Sequence, residues 1–341
     1  MKFIEHSNSV YKSNRKYVSP KSKKIRKIII ESIIFIFVLT ILVGVLSEAA
    51  QNNNSIMALR SSHRLGSYGE HKIAYGVSGS GSTIVLFESD IGETLLQWNP
   101  IILNSISGTR MIYYDRLGYG GSDFFKKETT VELQSEILNN LATNTGYSGK
   151  YMLVSEGYGS LIHLEYLKKY TDKVRGMILI NPFIFQENGD NKSYFENLYE
   201  NLNISVMKLL SSLSIPRILE KFSILNNPYI NLYKEKASSR NKDNYLSRMM
   251  SKDYYSTILK EKSSMKKYLE NLDLNNFGTY DIPIIIIESE KNRSDEYENM
   301  LKKHFKNLEI IYFEDTSEFT YTNSEYLINL ISNMNSRIEW K

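Results

Sequence analysis

The sequence contains no cysteine. That excludes a disulfide framework, a thiolate-ligated zinc or iron–sulfur site, and a catalytic thiol. The compartment stays open, because bridges are optional in a chain long enough to bury a sizeable core. Histidine is scarce, five in 341 residues, and no pair of them has the spacing of zinc ligands. No loop carries EF-hand spacing and no segment repeats. Neither glycine-rich turn, Gly79-Ser80-Gly81 or Gly118-Tyr119-Gly120-Gly121, has a Walker lysine or a Rossmann context. No cofactor is expected from these patterns.

The charge that is present is unevenly spread. Residues 1–27 hold nine cations (Lys2, Lys12, Arg15, Lys16, Lys21, Lys23, Lys24, Arg26, Lys27) against Glu5. Of the net +4, the tail therefore accounts for +8 and everything after it for −4. Nucleic-acid binding needs Lys and Arg gathered on a folded surface, so no nucleic-acid partner is expected. With 42% hydrophobic and 23% charged residues the composition excludes wholesale disorder and fibrous structure.

Ile28 to Leu46 reads IIIESIIFIFVLTILVGVL, with Glu31 as its one charge. At about 1.5 Å per residue this run makes roughly 28 Å of helix, close to the hydrocarbon thickness of a bilayer. Cations precede it and Glu48 follows. The positive-inside bias therefore predicts a single-pass anchor in the cell membrane, partnered by lipid over 28–46, with the N-terminus cytoplasmic and the rest outside. A cleaved signal peptide is the competing reading, since Ser47-Glu48-Ala49 offers small residues at a cleavage spacing. The 27-residue basic lead and the length of the run favour retention. Residues 47–62, polar and without pattern, predict a tether.

Beyond the tether the chain alternates. Strand-length apolar runs stand at His71–Val77, Thr83–Phe87, Arg110–Tyr114, Tyr151–Val154, Met177–Ile180, Ile284–Ile287 and Ile310–Phe313, with helical spacing at Val131–Thr143 and Leu161–Tyr170. Strand–helix alternation predicts an α/β class with a mostly parallel sheet and helices on both faces. About a hundred residues between Asn181 and Pro283 have helical spacing and are too long for a loop. They predict a helical cap over 183–281, inserted between core segments 63–182 and 282–341 and lying over the carboxyl edge of the sheet. Eight of its tyrosines (Tyr194, Tyr199, Tyr229, Tyr233, Tyr245, Tyr254, Tyr255, Tyr268) serve either packing or a small-molecule or protein partner at the cap and sheet edge. Trp98 is expected in the core.

Several segments in this order resemble the α/β-hydrolase superfamily across 70–335. Thr83-Ile84-Val85-Leu86-Phe87-Glu88-Ser89 stands where the family has a strand running into His-Gly. Tyr114-Asp115-Arg116-Leu117-Gly118-Tyr119-Gly120-Gly121-Ser122-Asp123 is close to its Asp-Arg-x-Gly-x-Gly-x-Ser turn. Tyr151–Pro182 looks like its nucleophile strand, helix and next strand, and Ile282-Pro283 through Asn292 resembles its Pro-strand-His-Gly-Glu-Lys-Asp. The resemblance implies a nucleophile elbow at Ser155-Glu156-Gly157-Tyr158-Gly159, an acid at Asn292, and a base at Glu318 in Phe313-Glu314-Asp315-Thr316-Ser317-Glu318-Phe319.

None of the three positions holds the family's residue type. Gly157 has no side chain, Asn292 carries no charge to hold an imidazolium, and Glu318 replaces histidine. Ser155 and Ser160 flank the nucleophile position without occupying it. The oxyanion wall, equivalent to Ser89, Asp90 and Tyr158, is bordered by the carboxylates of Glu88 and Asp90, which oppose developing negative charge.

Three functions are consistent with these residues. The first is a degenerate, membrane-tethered hydrolase relative used for binding or scaffolding. The second is an active hydrolase or lyase in which Glu318 or Glu156 acts as general base on a water. The third is a cation-binding structural domain drawing on Glu88, Glu156 and Glu318, with Glu288, Asp90, Asp115 and Asp315 near by.

Overall fold

The computed structural model describes residues 20–104, 106–147, 149–183, 194–225, 228–236, 240–273 and 276–339. The basic tail up to residue 19 and the side chains of Tyr194, Tyr199 and Tyr229 lie outside the described ones. In chain order the first half comprises α1 (Pro20–Ser62), β1 (Arg64–Tyr68), β2 (His71–Gly79), β3 (Thr83–Glu88), α2 (Asn99–Ile102), β4 (Thr109–Tyr114), α3 (Val131–Asn144), β5 (Tyr151–Glu156), α4 (Tyr158–Lys169) and β6 (Val174–Ile180). The second half comprises α5 (Tyr194–Ser211), α6 (Ile215–Lys221), α7 (Pro228–Lys236), α8 (Lys242–Met249), α9 (Lys252–Glu270), β7 (Tyr280–Ser289), α10 (Asp295–His304), β8 (Phe305–Phe313), α11 (Phe319–Thr322) and α12 (Ser324–Glu339).

All seven strand-length runs enter one eight-stranded sheet of order β1-β2-β4-β3-β5-β6-β7-β8. β1 and β2 pair antiparallel with each other, and β2 pairs antiparallel with β4; β4, β3 and β5 to β8 are parallel. The parallel strands are continuous apolar runs because both their faces are covered. Ile84, Leu86, Leu153, Leu179 and Ile286 pack toward α3, α4 and the helices after β6, while Val85, Phe87, Val154, Ile178 and Ile287 pack toward α2 and α12. Trp98 is fully buried in the second layer. The strand order reverses around β3, which places the ends of β3 and β5 side by side. Sites in open α/β sheets lie at that kind of edge.

Among the described residues, the segment between β6 and β7 holds the helices α5 to α9. Tyr233, Tyr245, Tyr254 and Tyr255 are buried there and pack against the core, while Tyr268, also largely buried, borders a cavity. Tyr254 stacks edge-on to Tyr119 of the core at 5.5 Å between centroids.

Residues 47–62 are not a tether. They continue α1 without a break, giving a helix of 43 residues. Three successive asparagines argue locally against helix, but tertiary contacts override that preference. Arg217 clamps Glu48 through Nε at 2.7 Å and a second nitrogen at 3.0 Å. Asn52 accepts from Arg248, Ser55 donates to Ser247, and Leu59 is fully buried in the core. The N-terminal part of α1 contains an 18-residue window of mean hydropathy 2.9, none of it buried against the protein. It is long and apolar enough to cross a membrane. α5 and α6 together reach a comparable apolar length, bent by 96° between Glu200–Ser211 and Ile215–Lys221.

Candidate functional site

β5 ends at Glu156 and α4 begins at Tyr158, so the chain reverses within one residue. Gly157 makes that turn at φ +55°, ψ −123°, a backbone geometry unfavourable to side chains and the one a nucleophile elbow requires. The turn therefore has the tight strand-to-helix geometry, and the residue at its apex has no side chain. Ser155 does not replace it: its hydroxyl is fully buried and meets Ser160 Oγ at 3.3 Å.

The space beside Gly157 is filled by Asp90. A Cβ on residue 157 would stand 2.2 Å from Asp90 Oδ1. That oxygen accepts from the backbone N–H of Tyr158 at 2.9 Å and of Ile91 at 2.7 Å. One amide follows the elbow and the other comes from the loop after β3, the two sources from which this architecture builds an oxyanion hole. The expectation for Ser89, Asp90 and Tyr158 thus needs correcting. Tyr158 supplies an amide, Ile91 the second, and Asp90 Oδ1 is the oxygen they bind. Ser89 turns away, accepting from Trp98 Nε1 at 3.0 Å. Burial raises the Asp90 pKa, and the two amides oppose that shift.

The loop is held from behind by Arg116, whose guanidinium donates to Glu88 Oε1 (2.9 Å), the Ser89 carbonyl (2.5 Å) and the Asp90 carbonyl (2.8 Å). The same group makes a two-pronged contact with Glu261 of α9, at 2.7 and 3.0 Å. Tyr119 also donates to Glu261 at 2.6 Å, and Tyr114 donates to Glu88. Burial pushes the Glu88 carboxyl up while Arg116 pulls it down.

A second acidic pair sits across the elbow. Glu156 Oε2 accepts from Gln97 Nε2 at 2.7 Å and from Thr320 Oγ1 of α11 at 2.5 Å. Tyr321 of the same helix donates to Glu93 at 3.2 Å. Burial raises Glu156 to about 7, and burial together with the charges of Asp90 and Glu156 raises Glu93 to about 8. Near neutral pH these are carboxyls poised between acid and base forms. Glu93 was not singled out in the sequence; its place three residues beyond Asp90 in the oxyanion loop was the available signal.

The remaining positions do not converge on the elbow. Asn292 is exposed and donates to Glu288 at 2.8 Å, while Glu288 also accepts from the Ser289 amide at 3.0 Å, so the acid loop closes on itself. Glu318 is exposed at φ +53° at the start of α11. Asp115 is buried as an acceptor for the amides of Leu95 and Gly121, and exposed Asp315 bonds Ser317. Glu88, Glu156 and Glu318 do not form a common cation site. Glu88 pairs in register with Ser155, so Glu156 projects to the opposite face of the sheet. Among the described residues no three acidic or histidine side chains are grouped to hold a metal ion. A cavity of about 370 Å³ includes Glu128, Thr130, Lys168, Lys267, Tyr268 and Phe277 in its lining, and none of the elbow residues.

No family model matches the sequence. A curated relative, the uncharacterized protein YqjL of Bacillus subtilis, is 27% identical over 104 residues, 30% of this chain and 41% of that protein. Solved structures match more of the chain. An alpha/beta hydrolase from a Medee basin deep-sea metagenome library is 18% identical with TM-score 0.58, covering 79% of this chain and 96% of that one. The epoxide hydrolase VrEH1 of Vigna radiata is 16% identical with TM-score 0.57, covering 81% and 98%. A thermophilic esterase from Thermogutta terrifontis is 17% identical with TM-score 0.56, covering 80% and 96%. The chain has the α/β-hydrolase fold.

Proposed function

We propose that this chain is a membrane-anchored protein in which the α/β-hydrolase fold is catalytically degenerate and acts as a binding or scaffolding module. One observation carries the reading: the Asp90 carboxylate lies on the two amides that would hold a substrate oxyanion, beside a residue with no nucleophile. Acyl transfer develops negative charge at that spot, and the resident Asp90 oxygen already fills it. The segment 183–281 acts as a cap, and the ligand, a small molecule or a protein, engages the cap and sheet edge.

The apolar window of α1 supports a retained anchor, with the basic tail cytoplasmic and the folded domain outside. Cleavage after Ala49 would remove Glu48 and leave Arg217 buried without its carboxylate, which argues against a signal peptide.

The test is turnover of short- and long-chain nitrophenyl esters by the full-length protein in detergent, beside Glu318→Gln and Glu156→Gln. No rate above a heat-unfolded control is expected. Turnover that either substitution abolishes would overturn the proposal in favour of water activated by a carboxylate base.

A further inference from the structure

The α5–α6 elbow presents large apolar side chains that are mostly exposed. Leu202, Val206 and Leu209 recur at intervals of four and three along α5 and share one helix face; Ile218 of α6 and Phe222, the residue that caps it, stand four apart, with Ile224 just beyond. All six are exposed, Leu209 by 70% and Phe222 by 68%. A run of exposed large apolar residues on adjoining elements marks a surface that another phase or molecule covers.

Its position says which. The turn joining the two helices touches α1 at Gly44: Ser214 Oγ donates to the Gly44 carbonyl at 3.2 Å, and the Leu213 carbonyl oxygen stands 2.8 Å from where a Cβ at 44 would be. Only glycine admits that approach. One turn further along α1, Glu48 takes the Arg217 clamp. Gly44 belongs to the apolar run ending at Leu46, so at about 1.5 Å per residue the contact lies about 3 Å inside the end of that run. When the run spans a bilayer, the α5–α6 turn is held at the depth where acyl chains meet headgroups. Exposed Lys221 stands beside Phe222, as a cation does next to an apolar residue at a lipid surface.

We propose that the α5–α6 elbow is a second, monotopic membrane contact: Leu209, Phe222 and their neighbours enter the leaflet nearest the folded domain, alongside α1. The occupant is the phospholipid bilayer. The inference rests on the reading of α1 as an anchor and goes beyond it, because an anchored domain could equally stand clear of the lipid.

The absence of cysteine allows a clean test with the full chain. Single variants Leu39→Cys, Leu209→Cys, Phe222→Cys and Glu70→Cys carry an environment-sensitive fluorophore, and each protein is reconstituted in phosphatidylcholine–phosphatidylglycerol vesicles. Quenching is read from nitroxide on the lipid acyl chains and from aqueous iodide. Glu70, whose side chain is 91% exposed, is the control in water, and Leu39 the control in the run. Probes at 39, 209 and 222 are expected to lose at least about half their emission to nitroxide lipid and little to iodide, with the reverse at 70. If 209 and 222 follow 70 while 39 follows the lipid, this inference fails and the anchor stands. If 39 also follows iodide, both fail. Protection of 209 and 222 from both quenchers would mean that a second copy or another protein covers the patch, and would likewise overturn it.

Discussion

Asp90 and Gly157 are mutually exclusive with a nucleophile: the carboxylate oxygen stands 2.2 Å from the place a Cβ at 157 would take. Replacing the glycine alone therefore does not place a free side chain at the turn. Gly157→Ser is expected to gain no esterase activity and to lose roughly 2–3 kcal/mol of stability, from the positive φ and the overlap together. Asp90→Gly in the same chain removes the overlap and recovers part of that loss. Denaturant midpoints of the two variants against the parent check both statements.

Glu93 and Glu156 titrate near 8 and 7 in the folded chain, well above their ordinary range near 4.5. The folded state holds protons that the unfolded chain releases, so their contribution is full below about pH 4.5 and is lost as pH rises toward 8. Glu93→Gln keeps the neutral form at every pH. It is expected to match the parent at pH 4.5 and to be more stable by about 1–3 kcal/mol at pH 9. Equal midpoints at pH 9 would refute the assignment.

His163 gives the opposite slope. Its ring is buried in α4 with no hydrogen-bond partner on either nitrogen among the described residues, and burial lowers its pKa to about 3. Below pH 6.5 the unfolded chain takes up a proton that the folded chain refuses. Stability from this group is thus full above 6.5 and falls by about 1.4 kcal/mol per unit toward pH 3. His163→Leu is expected to raise the melting temperature at pH 5 more than at pH 8, and thermal unfolding at the two values measures it.

The Glu48–Arg217 pair joins α1 to α6 with both side chains nearly buried. Removing one partner leaves a charge stranded, at about 3–5 kcal/mol. Glu48→Ala is expected to destabilise the domain by that order, with Glu48→Gln intermediate, in urea unfolding of the full-length protein. For the same reason a soluble fragment starting at residue 51 should be less stable than one starting before Gly44.

How far these features were legible varies with their physical origin. Runs such as Ile284–Ile287 declare buried parallel strands because both faces are apolar. β1 was missed because Arg64–Tyr68 is an edge strand, largely exposed, whose residues show no core face. Helix over 47–62 was invisible because Arg217, Ser247 and Arg248, nearly two hundred residues away, hold it. At the site, side-chain substitutions at 157, 292 and 318 were readable. That the Asp90 oxygen would turn onto amides was not, since a backbone N–H such as that of Ile91 leaves no mark in residue type. Whether Glu88 and Glu156 share a face depended on the β3–β5 register, which only pairing fixes.

Glu261 links a distant helix to the turn that carries Asp90, through the buried guanidinium of Arg116. Swinging α9 outward would part Glu261 from Arg116 and break a buried ion pair, at about 3–5 kcal/mol. The helical segment and the sheet should consequently breathe as one foldon. Amide protons of α9 would then exchange with deuterium no faster than those of β3 and β5, so the helices after β6 move with the sheet rather than against it.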